Sequence, residues 1–221
     1  METLRLDGVD VEIDGTRILS DVTVSSSARR IAVIGANGSG KSTFARLLNA
    51  LVRPSAGSVR VLGEEPSARR TGFVFSSPDA QLLMPTVAED VVLSLRGSGV
   101  PKSGISARVD AVLDRYGLAA HAESSVHALS GGQKQLLAFA SVLVTDPAVL
   151  VADEPTTLLD RRNARLIGDL LFDELAMPVI ILTHDLDLAA RCEEALLFDE
   201  GRLRGVGAAA DVVEQYRELV G

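Results

Sequence analysis

Gly35-Ala36-Asn37-Gly38-Ser39-Gly40-Lys41-Ser42-Thr43 is the stretch on which the reading of this chain turns. It fits the pattern G-x-x-x-x-G-K-[ST], and its flanks agree with it. Upstream, "RRIAVIG" (residues 29–35) is a continuous apolar run, the pattern of a parallel strand buried on both faces. Downstream, residues 41–51 read as a helix. Glycines in such a turn let successive backbone N–H groups point inward around phosphate oxygens. The helix N-terminus adds partial positive charge. Lys41 can then reach the β- and γ-phosphates of a nucleotide, and the Ser42 hydroxyl can ligate Mg²⁺.

Outward from that turn, residues 1–34 read as strands, with "LRLDGVDVEIDGTRIL" alternating around a turn at Asp14-Gly15. "GSVRVLG" and "TGFVFSS" are two further short strands. From residue 87 to about 115 the period becomes helical, interrupted by the glycine-rich loop "RGSGVPKSG". A longer helix is expected from about 130 to 143. Strand and helix then alternate: "AVLVAD", a helix near 161–175, "PVIILTH", a short helix, the hairpin "ALLFDEGRLRGVG", and a terminal helix over 208–219. This alternation predicts α/β architecture: a phosphate-loop core with a parallel sheet, an N-terminal antiparallel β lobe, and a helical subdomain at roughly 83–144, all within one domain spanning 1–221.

Bulk composition narrows the function. With 221 residues, 47% hydrophobic and 24% charged, the chain can bury a full core and is not a disordered protein. The net charge of −8 offers no basic face for a nucleic-acid backbone, so no nucleic acid is expected as a partner. Acidity does not oppose nucleotide binding, because salt screens distant charges beyond about 8 Å. The single cysteine, Cys192, excludes an intrachain disulfide and reads as a core thiol in a reducing compartment. No apolar run reaches the roughly 18 residues of a membrane helix, so any membrane association is expected through a partner, at the cytoplasmic face.

Two further motifs carry chemistry. In "AVLVADEPTTLLD", apolar residues lead to Asp153 and Glu154 at a strand end. Beside a phosphate loop, that places Asp153 near a Mg²⁺ shell and Glu154 near the γ-phosphate. In "LSGGQKQ" (residues 129–135), Ser130 is a credible N-cap, and Gly131 and Gly132 leave N–H groups open as a second anion site, with Gln133 following.

"GANGSGKST", "LSGGQKQ", "DEPTTLLD" and "ILTHD" occur in this order, and over nearly its whole length the chain resembles the ATPases of ABC transporters. The resemblance implies that Lys41, Ser42 and Asp153 hold Mg-ATP and that Glu154 is the general base for the attacking water. It implies that His184 is the switch histidine on the γ-phosphate, and that residues 157–160 touch an opposing subunit. It also implies a head-to-tail pair of ATPases, each Ser130-Gly131 completing the nucleotide site of the other. His121 and His127 match no motif and read as surface residues.

Two positions depart from the family pattern. Where an aromatic residue usually stacks on adenine, this chain has Ile13, so only apolar contact is expected there. Where a glutamine usually follows the strand and links metal and water to the helical lobe, it has Ser76, with Gln81 farther on. Ser76 acting through a water, or Gln81 swinging in, are the two ways to fill that role, and Ser76 is favoured.

"PDAQLLMPTVAEDV" resembles the energy-coupling factor importers. In these, ATPases work with a transmembrane coupling protein and a small substrate-binding membrane protein. The short C-terminus is similar to that of biotin importer ATPases, with cobalt or nickel importers as the alternative. DNA-maintenance and ribosome-associated ABC ATPases fit less well: the chain has no room for a coiled coil between its motifs, and it carries one acidic cassette.

Overall fold

The structure is a computed structural model that describes residues 2–96, 98–157 and 159–220. Gly97 in the expected glycine-rich loop, Leu158 in the expected 157–160 loop, and both end residues of the 1–221 domain lie outside the described residues. The chain folds as two compact units, one of residues 1–73 with 148–154 and 174–221, the other of residues 74–147 with 155–173.

The first unit carries both sheets. Strands β1 (Leu4–Ile13), β2 (Thr16–Ser26) and β4 (Ala56–Val61) form an antiparallel three-stranded sheet in the order β2-β1-β4. Along β1, Leu4, Leu6, Val9 and Val11 are buried, and shifts of register between these positions mark β-bulges. The expected turn at Asp14-Gly15 is present: Ile13 pairs with Thr16, and both turn residues have positive φ.

The second sheet has the order β5-β6-β7-β3-β8-β9. Its strands are β3 (Arg30–Ile34), β5 (Thr71–Val74), β6 (Val149–Asp153), β7 (Val179–Leu182), β8 (Glu194–Asp199) and β9 (Arg202–Ala208). β3 runs parallel to β7 and β8, β6 runs parallel to β7, and β9 closes the edge antiparallel to β8. Every residue of β3 and β7 is buried, which is why these strands read as uninterrupted apolar runs. Crossovers between parallel strands leave their loops at the carboxyl ends, where an α/β sheet places its ligand.

Helix α1 (Lys41–Leu48) ends three residues before the expected 51. The buried Asn49 donates its side-chain amide to Thr71 O, and Ala50 takes a left-handed φ of 61°. A tertiary hydrogen bond thus stops a helix that the local pattern would continue. Helices α6 (Leu186–Ala190) and α7 (Ala209–Val220) complete this unit.

The second unit contains α2 (Val87–Ser94), α3 (Lys102–Arg115), α4 (Gly131–Leu143) and α5 (Arg161–Asp169), the last continuing as a π-turn over Leu170–Glu174. The unit extends beyond the expected 83–144 on both sides and adds the segment 155–173. α3 begins inside the stretch read as a loop to Gly104. Pro101 at φ −57° starts the helix, and a single glycine in its first turn is tolerated. Thr86 and Glu89 cap α2 reciprocally. Asp90, 3% exposed, accepts hydrogen bonds from Leu83 N, Met84 N and the Ser141 hydroxyl, so this buried carboxylate fixes the loop before α2 against α4.

Candidate nucleotide site

The turn between β3 and α1 is built as a cradle. Gly35 has φ 143°, and a Cβ there would lie 2.0 Å from Phe198 O, so only glycine lets the loop pass β8 so closely. Ala36, Asn37 and Gly38 form an exposed crest, while Ser39 and Thr43 are buried. The loop is braced from the β8–β9 turn, where Gly201 N donates to Ser39 O at 3.0 Å. Beneath it, the rings of Phe44 and Phe198 stand 5.0 Å apart. Sequence reading missed this brace, because Phe198 and Gly201 belong to no motif and reach the loop only through the sheet order.

Lys41, 7% exposed, donates from Nζ to Gly35 O at 2.7 Å and Ala36 O at 2.8 Å. Its ammonium therefore sits inside the loop. Burial pushes its pKa down, while Glu154 and Asp153 act in the opposite sense. An anion entering the cradle would offset that penalty by pairing with the ammonium.

β6 delivers the two carboxylates. Burial raises the pKa of Asp153 against the opposing effect of a hydrogen bond with Ser42. A hydroxyl and a carboxylate side by side are hard oxygen donors of the kind Mg²⁺ takes together with phosphate oxygens and water. Among the described residues no group of three or more His, Cys, Asp or Glu side chains could hold a metal.

Glu154 follows with φ 49°, a left-handed conformation uncommon for a residue other than glycine. It is held by its N–H on Leu182 O at 2.9 Å. Its Oε2 accepts from His184 N at 3.3 Å, and its Oε1 lies 3.3 Å from His184 Nε2. Because β6 and β7 are adjacent and parallel, the carboxylate and the imidazole leave neighbouring strand ends as one pair. Such local strain at a strand exit is characteristic of reactive sites. Ile13, 38% exposed, ends β1 in this same unit.

In the second unit Ser130 caps α4. Its Oγ accepts from Gln133 N at 3.3 Å while Gln133 Oε1 accepts from Ser130 N at 2.9 Å. The two glycines serve different ends. Nothing lies within 4 Å of a Cβ added at Gly131, leaving that backbone open to an approaching group. A Cβ on Gly132 would meet Asn163 Cγ at 2.4 Å, so a side chain there would push the Asn163 amide aside where α5 packs on α4. Asp160 caps α5 by accepting from Asn163 N at 2.8 Å, and its Oδ2 accepts from Asn163 Nδ2 at 3.1 Å.

Ser76 is exposed after β5. Gln81 is engaged at both ends: Oε1 accepts from Phe75 N at 3.1 Å, and Nε2 donates to Ala138 O at 3.4 Å. A swing of Gln81 would break both bonds. His121 corrects the expectation of a surface residue. It is partly buried, with Nε2 3.0 Å from Gln133 Nε2. His127 is exposed, as expected.

Comparison with known proteins agrees with this geometry. Residues 20–157 match the family described as ABC transporter. The chain is 43% identical to the biotin transport ATP-binding protein BioM of Rhizobium etli, over 93% of this chain and 94% of the relative. It is 37% identical to the energy-coupling factor transporter ATP-binding protein EcfA1 of Lacticaseibacillus paracasei, over 91% of this chain and 77% of that protein. Among solved structures it resembles cbiO1 of Clostridium perfringens, part of the ABC transporter complex cbiONQ, with a TM-score of 0.85, 31% identity, and coverage of 98% of this chain and 92% of that one. A phosphate cradle backed by a strained carboxylate–histidine pair, together with a capped glycine helix start, places this chain in the ABC transporter family as an ATP-hydrolysing subunit.

Proposed function

We propose that this chain powers an energy-coupling factor importer that takes up biotin. The observation that carries the reading is the 43% identity to a biotin transport ATP-binding protein, spread over almost the full length of both chains. No helix among the described residues is long and apolar enough to cross a membrane. In this reading, which rests on the likeness to transporter ATP-binding proteins, the subunit works at the cytoplasmic face against a transmembrane coupling protein and a substrate-binding membrane protein.

Two copies bind head to tail, each presenting Ser130 and Gly131 to the phosphates held by the cradle of the other. Lys41 turns from its two loop carbonyls to the β- and γ-phosphates. Ser42 and Asp153 would hold Mg²⁺, whose charge would offset that of the phosphate oxygens. Ser76 would reach the ion through a water, since Gln81 is committed to Phe75 and Ala138. Ile13 lies against the adenine with apolar contact alone. Glu154 takes the proton of the attacking water, and its bond to His184 N keeps its carboxylate aimed while His184 meets the γ-phosphate. Cleavage removes the bridge between the copies, and their parting drives the membrane subunits.

The test is expression of the chain with its membrane partners, followed by uptake of labelled biotin. Uptake lost in a Glu154→Gln complex that still assembles supports the reading. Assembly without biotin uptake, but with uptake of a metal ion, assigns the importer to another substrate.

A further inference from the structure

The cap of α4 does more than start a helix. Gln133 Oε1 is committed to Ser130 N at 2.9 Å, so the Gln133 amide nitrogen faces away from the serine and lies 3.0 Å from His121 Nε2. An amide nitrogen only donates. His121 Nε2 must therefore be the acceptor, with the imidazole proton on Nδ1. The backbone that carries the histidine is pinned, since the main-chain N–H of His121 donates to Leu118 O at 2.9 Å and its main-chain carbonyl accepts from Ser124 N at 2.8 Å. The sequence between this turn and the helix thus folds back to set a single amide.

We propose that His121 is a positioning residue for the nucleotide site of a second copy of this chain. The proposal rests on the reading that two copies clamp ATP. His121 and Ser130 N together fix which way the Gln133 amide faces. With the histidine as acceptor, the amide oxygen ties back Ser130 N. Ser130 Oγ meanwhile accepts from Gln133 N at 3.3 Å, which occupies a lone pair and leaves the single hydroxyl proton for an anion. The open backbone at Gly131 stands beside it. Without the histidine acceptor, the Gln133 amide loses one of the two bonds that hold its orientation and keeps the one to Ser130 N. A turned amide sets its NH₂ against Ser130 N, donor to donor, and loosens the cap that aims the hydroxyl.

The experiment uses the full chain carrying Glu154→Gln, so that bound nucleotide persists, and follows dimerisation by sedimentation as Mg-ATP is raised. His121→Leu removes the acceptor. His121→Gln puts a carbonyl oxygen near the place of Nε2. Losing one net hydrogen bond corresponds to a factor on the order of three to ten. His121→Leu should therefore need about three- to tenfold more Mg-ATP for half dimerisation, while a fluorescent ATP analogue binds the dilute monomer as tightly as before. His121→Gln should return to within about twofold of the parent, the margin of an intact hydrogen bond. Equal dimerisation of His121→Leu and the parent overturns the proposal, and so does a His121→Gln chain as impaired as His121→Leu. Loss of monomer nucleotide binding in His121→Leu also overturns it, because the histidine would then serve the fold rather than the seam. A parent that binds nucleotide and never dimerises takes down this proposal together with the clamp reading beneath it.

Discussion

Gly132→Ala should change the sign of its effect on stability according to what stands at position 163. The added methyl would sit 2.4, 2.5 and 2.6 Å from Asn163 Cγ, Nδ2 and Oδ1, all too close. Asn163 can yield only by swinging away, which breaks its 3.1 Å side-chain bond to Asp160. That costs about 1 kcal/mol for the hydrogen bond and about 1 kcal/mol for the displaced rotamer. Replacing glycine by alanine in a helix returns up to about 1 kcal/mol. The net expectation is a loss of about 1 kcal/mol in the parent chain. All three clashing atoms lie beyond Cβ, so Asn163→Ala removes every one of them. In that background Gly132→Ala should stabilise by up to about 1 kcal/mol, a coupling of about 2 kcal/mol. Urea unfolding of the four chains without nucleotide measures this through the midpoint at constant slope. A coupling below about 0.5 kcal/mol, with the same sign in both backgrounds, would refute the packing argument.

Ile13→Tyr should tighten ATP and GTP binding alike by about fivefold or more, the lower end of base–aromatic stacking; equilibrium titration that finds no change would show that position 13 does not meet the base. Asp153→Asn should stabilise the nucleotide-free chain at neutral pH. Burial raises the folded pKa of this carboxyl, so the folded state holds its proton more tightly than the unfolded state, and stability falls as pH rises through the window above the unfolded value of about 3.9. The gain from asparagine should therefore fade on acidification toward about pH 4, which unfolding at the two pH values will read. Burial pushes the Cys192 thiol up to about 12, so it should resist thiol reagents at about pH 8 until the chain is unfolded; fast labelling of the native chain would contradict its burial.

Much of the fold could be read from the sequence because its signals are local. β3 and β7 show as apolar runs since both faces are covered, and the cradle between β3 and α1 shows because its glycines and Lys41 are contiguous. What stayed hidden depends on residues distant in sequence. α1 stops where Asn49 finds Thr71, and α3 starts within a stretch whose glycines suggested a loop. Gly132 reads as an anion-binding glycine, yet a side chain there would push aside Asn163 on another helix. His121 matched no motif because its role is set by a side chain twelve positions away. Gln81 looked available until its two bonds were visible.

Sedimentation of the Glu154→Gln chain with and without Mg-ATP addresses the central claim most directly. The variant should hydrolyse ATP roughly 10²–10⁴-fold more slowly, the range for loss of a general base. It should be monomeric without nucleotide and should form a dimer retaining one ATP per chain with it. A chain that stays monomeric while saturated with Mg-ATP, at concentrations where the variant still binds it tightly, would contradict the account.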